Sequence, residues 1–159
     1  MQSLQRSDTK AAGSSGRRAV TAQEDSADQQ VQQEIARLKR IDAEVRAHER
    51  AHRVVGGQYA GQEHYEYSRG PDGQQYAVGG EVSIDISKER DPQATIAKMQ
   101  TVRAAAMAPA NPSAQDMSVA ATATNLLNEA MQELARQEYE KIQKLSQKSN
   151  TDEVTSRYA

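Results

Sequence analysis

The sequence predicts a small α+β domain that is mainly helical, with one long helix, a β-hairpin and two later helices in that order. Three observations support this fold class: a helical apolar repeat before residue 56, a turn-rich segment between two strand-like segments, and two helix-start signals after residue 90. The chain has 159 residues, only 36% of them hydrophobic, and neither Phe nor Trp. Because such a chain can bury only a small core, we expect disordered ends around a domain at residues 28–147.

The first element is a helix that begins near Asp28. It follows a leader at residues 1–27, rich in Ser, Gly, Gln and charge, which we expect to be disordered. Apolar residues and two histidines then recur at steps of three and four, at Val31, Ile35, Leu38, Ile41, Val45, His48, Ala51, His52 and Val55. The pair Gly56-Gly57 supplies the left-handed residue that commonly ends a helix. The pattern therefore predicts an amphipathic helix from about Asp28 to Gly56.

The second element is a β-hairpin. Two strand-like segments, residues 65–67 and 75–78, flank a turn-rich stretch at residues 69–73. We expect Gly79-Gly80 to break the second strand. Residues 81–86 alternate with period two, which predicts another short extended segment.

Two helices follow the hairpin. Asp91 is a suitable N-cap with Pro92 at the first helical position, and Ser113 with Asp116 forms a capping-box start for a long last helix. The apolar face predicted for that helix carries Leu127, Met131, Leu134, Ile142 and Leu145. We expect residues 148–159 to form a flexible tail.

Composition excludes several kinds of site and partner. The 20 basic and 22 acidic residues are mixed along the chain, and the net charge of -2 does not favour nucleic-acid binding. The chain has no cysteine, so any metal must be held by His, Asp or Glu. We see neither a secretory signal nor an apolar run long enough to span a membrane, so we expect a cytoplasmic protein without a membrane partner.

The run His48-Glu49-Arg50-Ala51-His52 reads as H-E-x-x-H. On a helix, residues i and i+4 share a face, so both imidazoles can reach one divalent ion. The glutamate between them can accept the proton of a metal-activated water. The simpler interpretation is a solvated helix face with two surface histidines. The position of His48 and His52 on the apolar stripe argues against that interpretation.

A catalytic zinc site generally needs a third protein ligand. Glu81 is the preferred candidate, because the preceding glycines would let the backbone bend and bring its carboxylate to the motif helix. His64 is the alternative, and a loop position is the simpler interpretation for it. For the oxyanion donor Tyr76 is favoured among the tyrosines because it lies close to Glu81 in sequence, although ordinary packing in a core without Phe and Trp is the preferred interpretation for any single tyrosine.

Four stretches together resemble the SprA-related family, whose members are described as zinc metalloproteases on the strength of the same motif. They are residues 38–52 (LKRIDAEVRAHERAH), 56–67 (GGQYAGQEHYEY), 70–85 (GPDGQQYAVGGEVSID) and 91–116. The resemblance covers roughly residues 35–137 and leaves the leader out. It implies a minimal zincin-like core and zinc-dependent hydrolysis of a peptide or protein substrate. His48, His52 and Glu81 would then be gluzincin-like metal ligands, with Glu49 as catalytic base.

Two other functions stay open at this point. The chain could be a helical protein-interaction module in which the motif is vestigial or binds metal only structurally, because the long last helix would suit docking or self-association. It could also be a metal-dependent hydrolase that acts on something other than peptides. The sequence names neither the substrate nor the oligomeric state.

Overall fold

The computed structural model describes residues 14–157. The elements are α1 (Ser14–Gly56), a short 3-10 helix (Gly57–Tyr59), β1 (Ala60–Arg69), β2 (Gln75–Ile84), α2 (Pro92–Ala106) and α3 (Ala114–Arg157). The strands form one two-stranded antiparallel sheet. The mainly helical α+β fold and the order of its elements are therefore confirmed. None of the helices in this part of the chain is apolar over a length that would cross a membrane.

Helix α1 is longer than the apolar repeat predicts. It begins at Ser14 rather than near Asp28, so the predicted start is wrong. The reason is that residues 14–27 lack an apolar period but also contain no proline that would interrupt a helix. The prediction of disorder for residues 1–13 falls outside the described residues. The C-terminal end is confirmed, since the helix stops at Gly56 and Gly57 has the positive φ of 53° that favours glycine.

The hairpin is confirmed, but its second strand is longer than predicted. Strand β2 continues through Gly79 and Gly80, which pair with Glu66 and Tyr65 of β1, so the predicted break is wrong. Pairing tolerates the glycines because the backbone hydrogen bonds of a strand do not require side chains. The register shifts twice instead, between Ala60 and Glu63 and between Glu66 and Tyr67.

Asp42 fastens the hairpin to α1. Its carboxylate accepts a 2.8 Å hydrogen bond from the backbone N–H of Ala77 and 3.0 Å bonds from Nε of Arg46. The hydrogen bond from Arg46 and then that from Ala77 lower the pKa of the Asp42 carboxyl. This contact holds β2 against the turns of α1 that carry the H-E-x-x-H motif.

The core lies between α2 and α3. Met99, Val102, Ala123 and Leu127 form its buried centre. Both helix-start predictions are confirmed: Asp91 accepts a hydrogen bond from the N–H of Ala94, and α3 begins at Ala114, directly after Ser113.

Beyond Ala130, the large apolar side chains of α3 that the structure describes are mostly outside this core. Leu127 is buried, but Met131, Ile142 and Leu145 are 53%, 62% and 58% exposed, so only the first part of the predicted apolar face packs. The helix runs on to Arg157, and the predicted flexible tail is helical as far as that residue.

A buried lysine organises the connection from β2 to α2. Lys98 is only 2% exposed, and its ammonium group donates to Asp85 at 2.8 Å, to Ser87 at 3.0 Å and to Glu89 at 2.9 Å. It also lies 5.3 Å from the ring centroid of Tyr59. One residue of α2 thus holds the segment that follows β2.

This cluster predicts a loss of stability in acid. The hydrogen bond from Lys98, followed by those from Ser87, lowers the pKa of Asp85 from its ordinary 3.8 to about 2. Because the folded-state pKa is the lower one, the contribution is complete above pH 3.8 and is lost as the pH falls towards 2. Asp85→Asn should lower the free energy of unfolding near neutral pH by about 1 kcal/mol, a small value because Asp85 is half exposed. The difference from the wild type should shrink across that acid range.

Urea unfolding at a series of pH values measures this effect. The matched control is Glu129→Gln, which removes the exposed ion pair with Lys88 and should change stability less. Equal stability of Asp85→Asn and the wild type near neutral pH would contradict the prediction.

Candidate metal centre

Helix α1 places both motif histidines on the face that points into the structure. His52 is 3% exposed and His48 is 27% exposed at the side chain. Their rings meet edge to face with centroids 4.9 Å apart, and their Nε2 atoms are 3.1 Å apart. The i,i+4 spacing therefore does what the motif predicts, because the two nitrogens converge on one point.

The end of α2 orients His52. Nδ1 of His52 lies 2.9 Å from the carbonyl oxygen of Ala105. A carbonyl can only accept a hydrogen bond, so Nδ1 carries the proton and donates it. In the neutral tautomer with this proton, Nε2 carries the lone pair, and it lies 3.1 Å from Nε2 of His48. This is the hydrogen-bonding arrangement that metal-ligating histidines usually have.

The first turn of α3 brings a carboxylate to the same point. Asp116 Oδ1 lies 3.3 Å from Nε2 of His52, and Asp116 Oδ2 lies 3.4 Å from Nε2 of His48. The capping box holds this carboxylate in place: the Ser113 N–H donates to Asp116 Oδ2 at 2.7 Å, and the Asp116 N–H donates to the Ser113 hydroxyl at 3.1 Å. One aspartate thus both caps α3 and faces the two histidines.

Asp116 is held in its charged form. Burial alone would raise the pKa of its carboxyl, but the hydrogen bonds from Ser113 and the nearby His52 and His48 together lower the pKa below its usual value. A metal requires an ionised carboxylate ligand, and the lowered pKa of Asp116 meets that requirement. His48, His52 and Asp116 could therefore hold a metal ion.

Glu49 lies beside this group and is almost fully buried, with 4% exposure. Its side chain occupies the space above Gly80: a Cβ at Gly80 would meet Glu49 Cγ at 2.8 Å and Glu49 Oε1 at 3.1 Å. Burial raises the pKa of the Glu49 carboxyl, although the neighbouring histidines act in the opposite direction. Among the described residues, the carboxylate of Glu49 has neither a hydrogen-bond nor an ion-pair partner. Since no fully buried side-chain oxygen in the described part of the chain lacks a partner, the Glu49 oxygens open onto the cavities that the residue lines and are accessible to a ligand.

The structure does not bring Glu81 into the group. Glu81 is exposed on β2, opposite His64 of β1, which is also exposed. Gly80 and Glu81 stay paired with Tyr65 and His64 of β1, and Glu49 fills the space above Gly80, so the glycines do not bring the Glu81 carboxylate to α1 as the sequence predicts. Glu81 instead lines the wall of a cavity of about 530 Å³ that opens onto the histidines.

Tyr76 also lies away from the histidines. It is buried, and its hydroxyl donates a 2.6 Å hydrogen bond to Asp72 in the hairpin turn. This bond, together with burial, raises the pKa of Tyr76 to about 12. Tyr76 does not line the cavity at the histidines. Its hydroxyl is bonded to Asp72 in the hairpin turn instead.

The sequence interpretation missed Asp116 as a member of the group. Asp116 is 64 residues beyond His52 in the chain, and its capping role already explains an aspartate at that position. No local signal distinguishes a cap that faces solvent from one that faces two histidines.

Comparison with known proteins agrees with the resemblance seen in the sequence and extends it. No curated protein and no solved structure matches the chain. The model of the SprA-related family matches residues 3–157, so the match includes most of the leader that the resemblance left out. The match extends over nearly the whole chain, and the protein therefore belongs to the SprA-related family.

Proposed function

We propose that this protein is a zinc-dependent metallopeptidase in which His48, His52 and Asp116 hold the metal and Glu49 is the catalytic base. The observation that carries the proposal is that the two Nε2 atoms lie 3.1 Å apart and that the Asp116 carboxylate faces both, with Oδ1 3.3 Å from one and Oδ2 3.4 Å from the other. Tetrahedral ligand atoms about 2.0–2.1 Å from zinc lie about 3.3 Å apart. The fit supports a two-histidine, one-carboxylate zinc site with a different carboxylate from the predicted Glu81.

Zinc is the metal that this set of ligands favours. Two imidazoles and one carboxylate are typical of zinc sites in hydrolases, whereas magnesium and calcium prefer oxygen ligands alone. When bound, zinc would lower the pKa of a water ligand to about 7 and polarise a peptide carbonyl.

Glu49 is placed to move the proton in this reaction. Glu49 is 4% exposed and lies next to His48, and its carboxylate forms no hydrogen bond or ion pair with any described residue. A carboxylate whose pKa is raised by burial is a better base than an exposed one, and it can pass the proton on to the leaving amine. Gly80 leaves the space in which Glu49 can adopt this position.

The surroundings of the motif support a minimal zincin-like core. Helix α1 carries the motif, β2 runs beside it, and the Ala105 carbonyl of α2 orients one of the histidines. The sheet has only two strands, and both follow the motif helix in the chain. The substrate cleft would therefore be formed by β2 and by the segment between α2 and α3.

One observation favours the second candidate, a helical interaction module. Beyond Ala130, α3 exposes Met131, Tyr139 and Ile142, at 53%, 63% and 62%. A row of exposed apolar residues on one helix is typical of a docking surface. This surface and the metal centre lie on different parts of α3, so the two functions are compatible.

Metal analysis combined with peptide digestion tests the proposed function. We expect the purified protein to bind about one zinc ion per chain, because three converging ligands suit a single site. A peptide library should be cleaved by the zinc-loaded protein, and a chelator should stop the cleavage reversibly. His48→Ala should lose the zinc, whereas the matched control His64→Ala should retain it because His64 is outside the group.

Each unfavourable result has a distinct meaning. If the protein binds no zinc, the proposed metal site is wrong and the interaction module is the function that remains. Stoichiometric zinc without cleavage of any peptide contradicts the peptidase and favours a structural metal or another substrate. Cleavage that persists in excess chelator shows that zinc has no part in it.

A further inference from the structure

Two cavities flank the motif, and both are lined by His48 and Glu49. One, of about 480 Å³, lies between α1 and the segment that follows α2, and Glu44 is among its lining residues. The other, of about 530 Å³, lies between α1, β2 and the start of α3, and Glu81 is among its lining residues. Each has the size of a small-ligand pocket, about 300–1,000 Å³. A substrate lying across Glu49 would extend into both.

The carboxylates give the walls of both cavities a negative charge. Glu44, Glu49, Glu81 and Asp116 are the acidic residues that line the two cavities, and no Lys or Arg from the described part of the chain lines either of them. A metal ion would balance the negative charges of Asp116 and Glu49, but not those of Glu44 and Glu81. Glu44 and Glu81 have no hydrogen-bond or ion-pair partner among the described side chains.

Apolar surface accompanies the carboxylate in each cavity. Val45, Ala47 and Pro109 line the cavity that contains Glu44. Val82, Ile84 and Val119 line the cavity that contains Glu81. Lysine and arginine side chains combine an apolar stem with a cationic end, and they pack the stem on apolar surface while the charge reaches an acid. Aspartate or glutamate side chains would meet like charge in both cavities.

We infer that the cleft selects peptides with lysine or arginine on both sides of the residues at the metal centre. The two flanking carboxylates, Glu44 and Glu81, determine this selectivity. The inference rests on the proposed peptidase function, since it assigns that cleft a substrate class. Glu49 lies between the cavities, is 4% exposed, lines both of them and has no hydrogen-bond partner among the described residues, which points to a ligand at this position. Selectivity of this kind comes from charge complementarity and weakens as salt screens it.

Equilibrium binding tests the inference separately from catalysis. The protein is zinc-loaded Glu49→Gln, in which the peptide should stay uncleaved. The probes are fluorescent alanine-based peptides with arginine, glutamine or glutamate on both sides of the centre. Arginine peptides should bind about tenfold more tightly than glutamine peptides at low salt, since each exposed ion pair contributes about fivefold or less. Glutamate peptides should bind most weakly.

Charge removal provides the matched variants. Adding Glu44→Gln and Glu81→Gln together should abolish the preference for arginine. Glu66→Gln removes one charge from the exposed side of the hairpin and should leave the preference intact, since Glu66 lines neither cavity. Equal binding of the three peptides, or a preference that survives in the double variant, would overturn the inference.

The two proposals can fail independently. Cleavage by the wild-type protein without any preference for basic residues would leave the peptidase standing and remove this inference. A preference for arginine peptides that depends on Glu44 and Glu81, in a protein that cleaves nothing, would support a basic-peptide site and contradict the peptidase.

Discussion

Asp116→Ala is expected to lower the affinity for zinc by more than about 100-fold, because the loss of even an outer-shell partner of a metal ligand costs about 10- to 100-fold. The expectation follows from the 3.3 and 3.4 Å distances that join the Asp116 oxygens to the two histidine Nε2 atoms. Competition with a chromophoric chelator measures the affinity. Glu81→Ala is the informative comparison, since it should leave zinc affinity almost unchanged.

A second substitution separates the two roles of Asp116. Asp116→Ala also removes the capping box and should destabilise α3 by about 1 kcal/mol. Asp116→Asn keeps an oxygen that can accept the hydrogen bond from the Ser113 N–H but loses the charge. We therefore expect Asp116→Asn to fold with near wild-type stability and still bind zinc weakly. Wild-type zinc affinity in Asp116→Asn, or a large loss of affinity in Glu81→Ala, would restore Glu81 as the third ligand.

Glu49→Gln is expected to lower kcat for peptide cleavage by about 10²- to 10⁴-fold, which is the usual contribution of a general base. The amide has nearly the same shape, so it can occupy the space above Gly80, but it cannot accept a proton from water. Zinc content should be unchanged because Glu49 is not one of the three converging ligands. The measurement is kcat on a cleaved library peptide, with zinc quantified in the same sample.

The control for Glu49→Gln is Glu66→Gln, the same chemical change on the exposed face of β1. It should retain both zinc and the wild-type kcat. A Glu49→Gln protein that cleaves peptides at the wild-type rate would show that another group moves the proton. A variant that loses zinc would show instead that Glu49 supports the metal.

Local sequence signals predicted most of the secondary structure. The end of α1 at Gly56, the hairpin around its turn, and the starts of α2 at Pro92 and α3 at Ala114 all follow from interactions within a few residues. The errors also have local causes. The apolar period places the start of α1 too late, because such a period reports burial rather than helix formation and residues 14–27 contain no proline that would interrupt the helix.

The motif alone determined which helix carries the candidate site. The spacing of His48 and His52 places them on one face of any helix, whatever surrounds it. Their position on the apolar stripe also indicated that this face turns inwards. The sequence alone therefore identifies His48, Glu49 and His52 as candidate site residues.

Only the tertiary structure determines which carboxylate lies beside the two histidines. Asp116 reaches the histidines because α3 starts next to α1, and its capping interactions look the same in sequence whether or not the carboxylate faces a site. Glu81 lies one residue past Gly80, yet its pairing with His64 of β1 keeps it away from His48, His52 and Asp116. Helix faces and caps depend on neighbours along the chain, and the sequence determined those. The identity of the carboxylate beside the two histidines depends on how separate elements pack, and no sequence periodicity reports that packing.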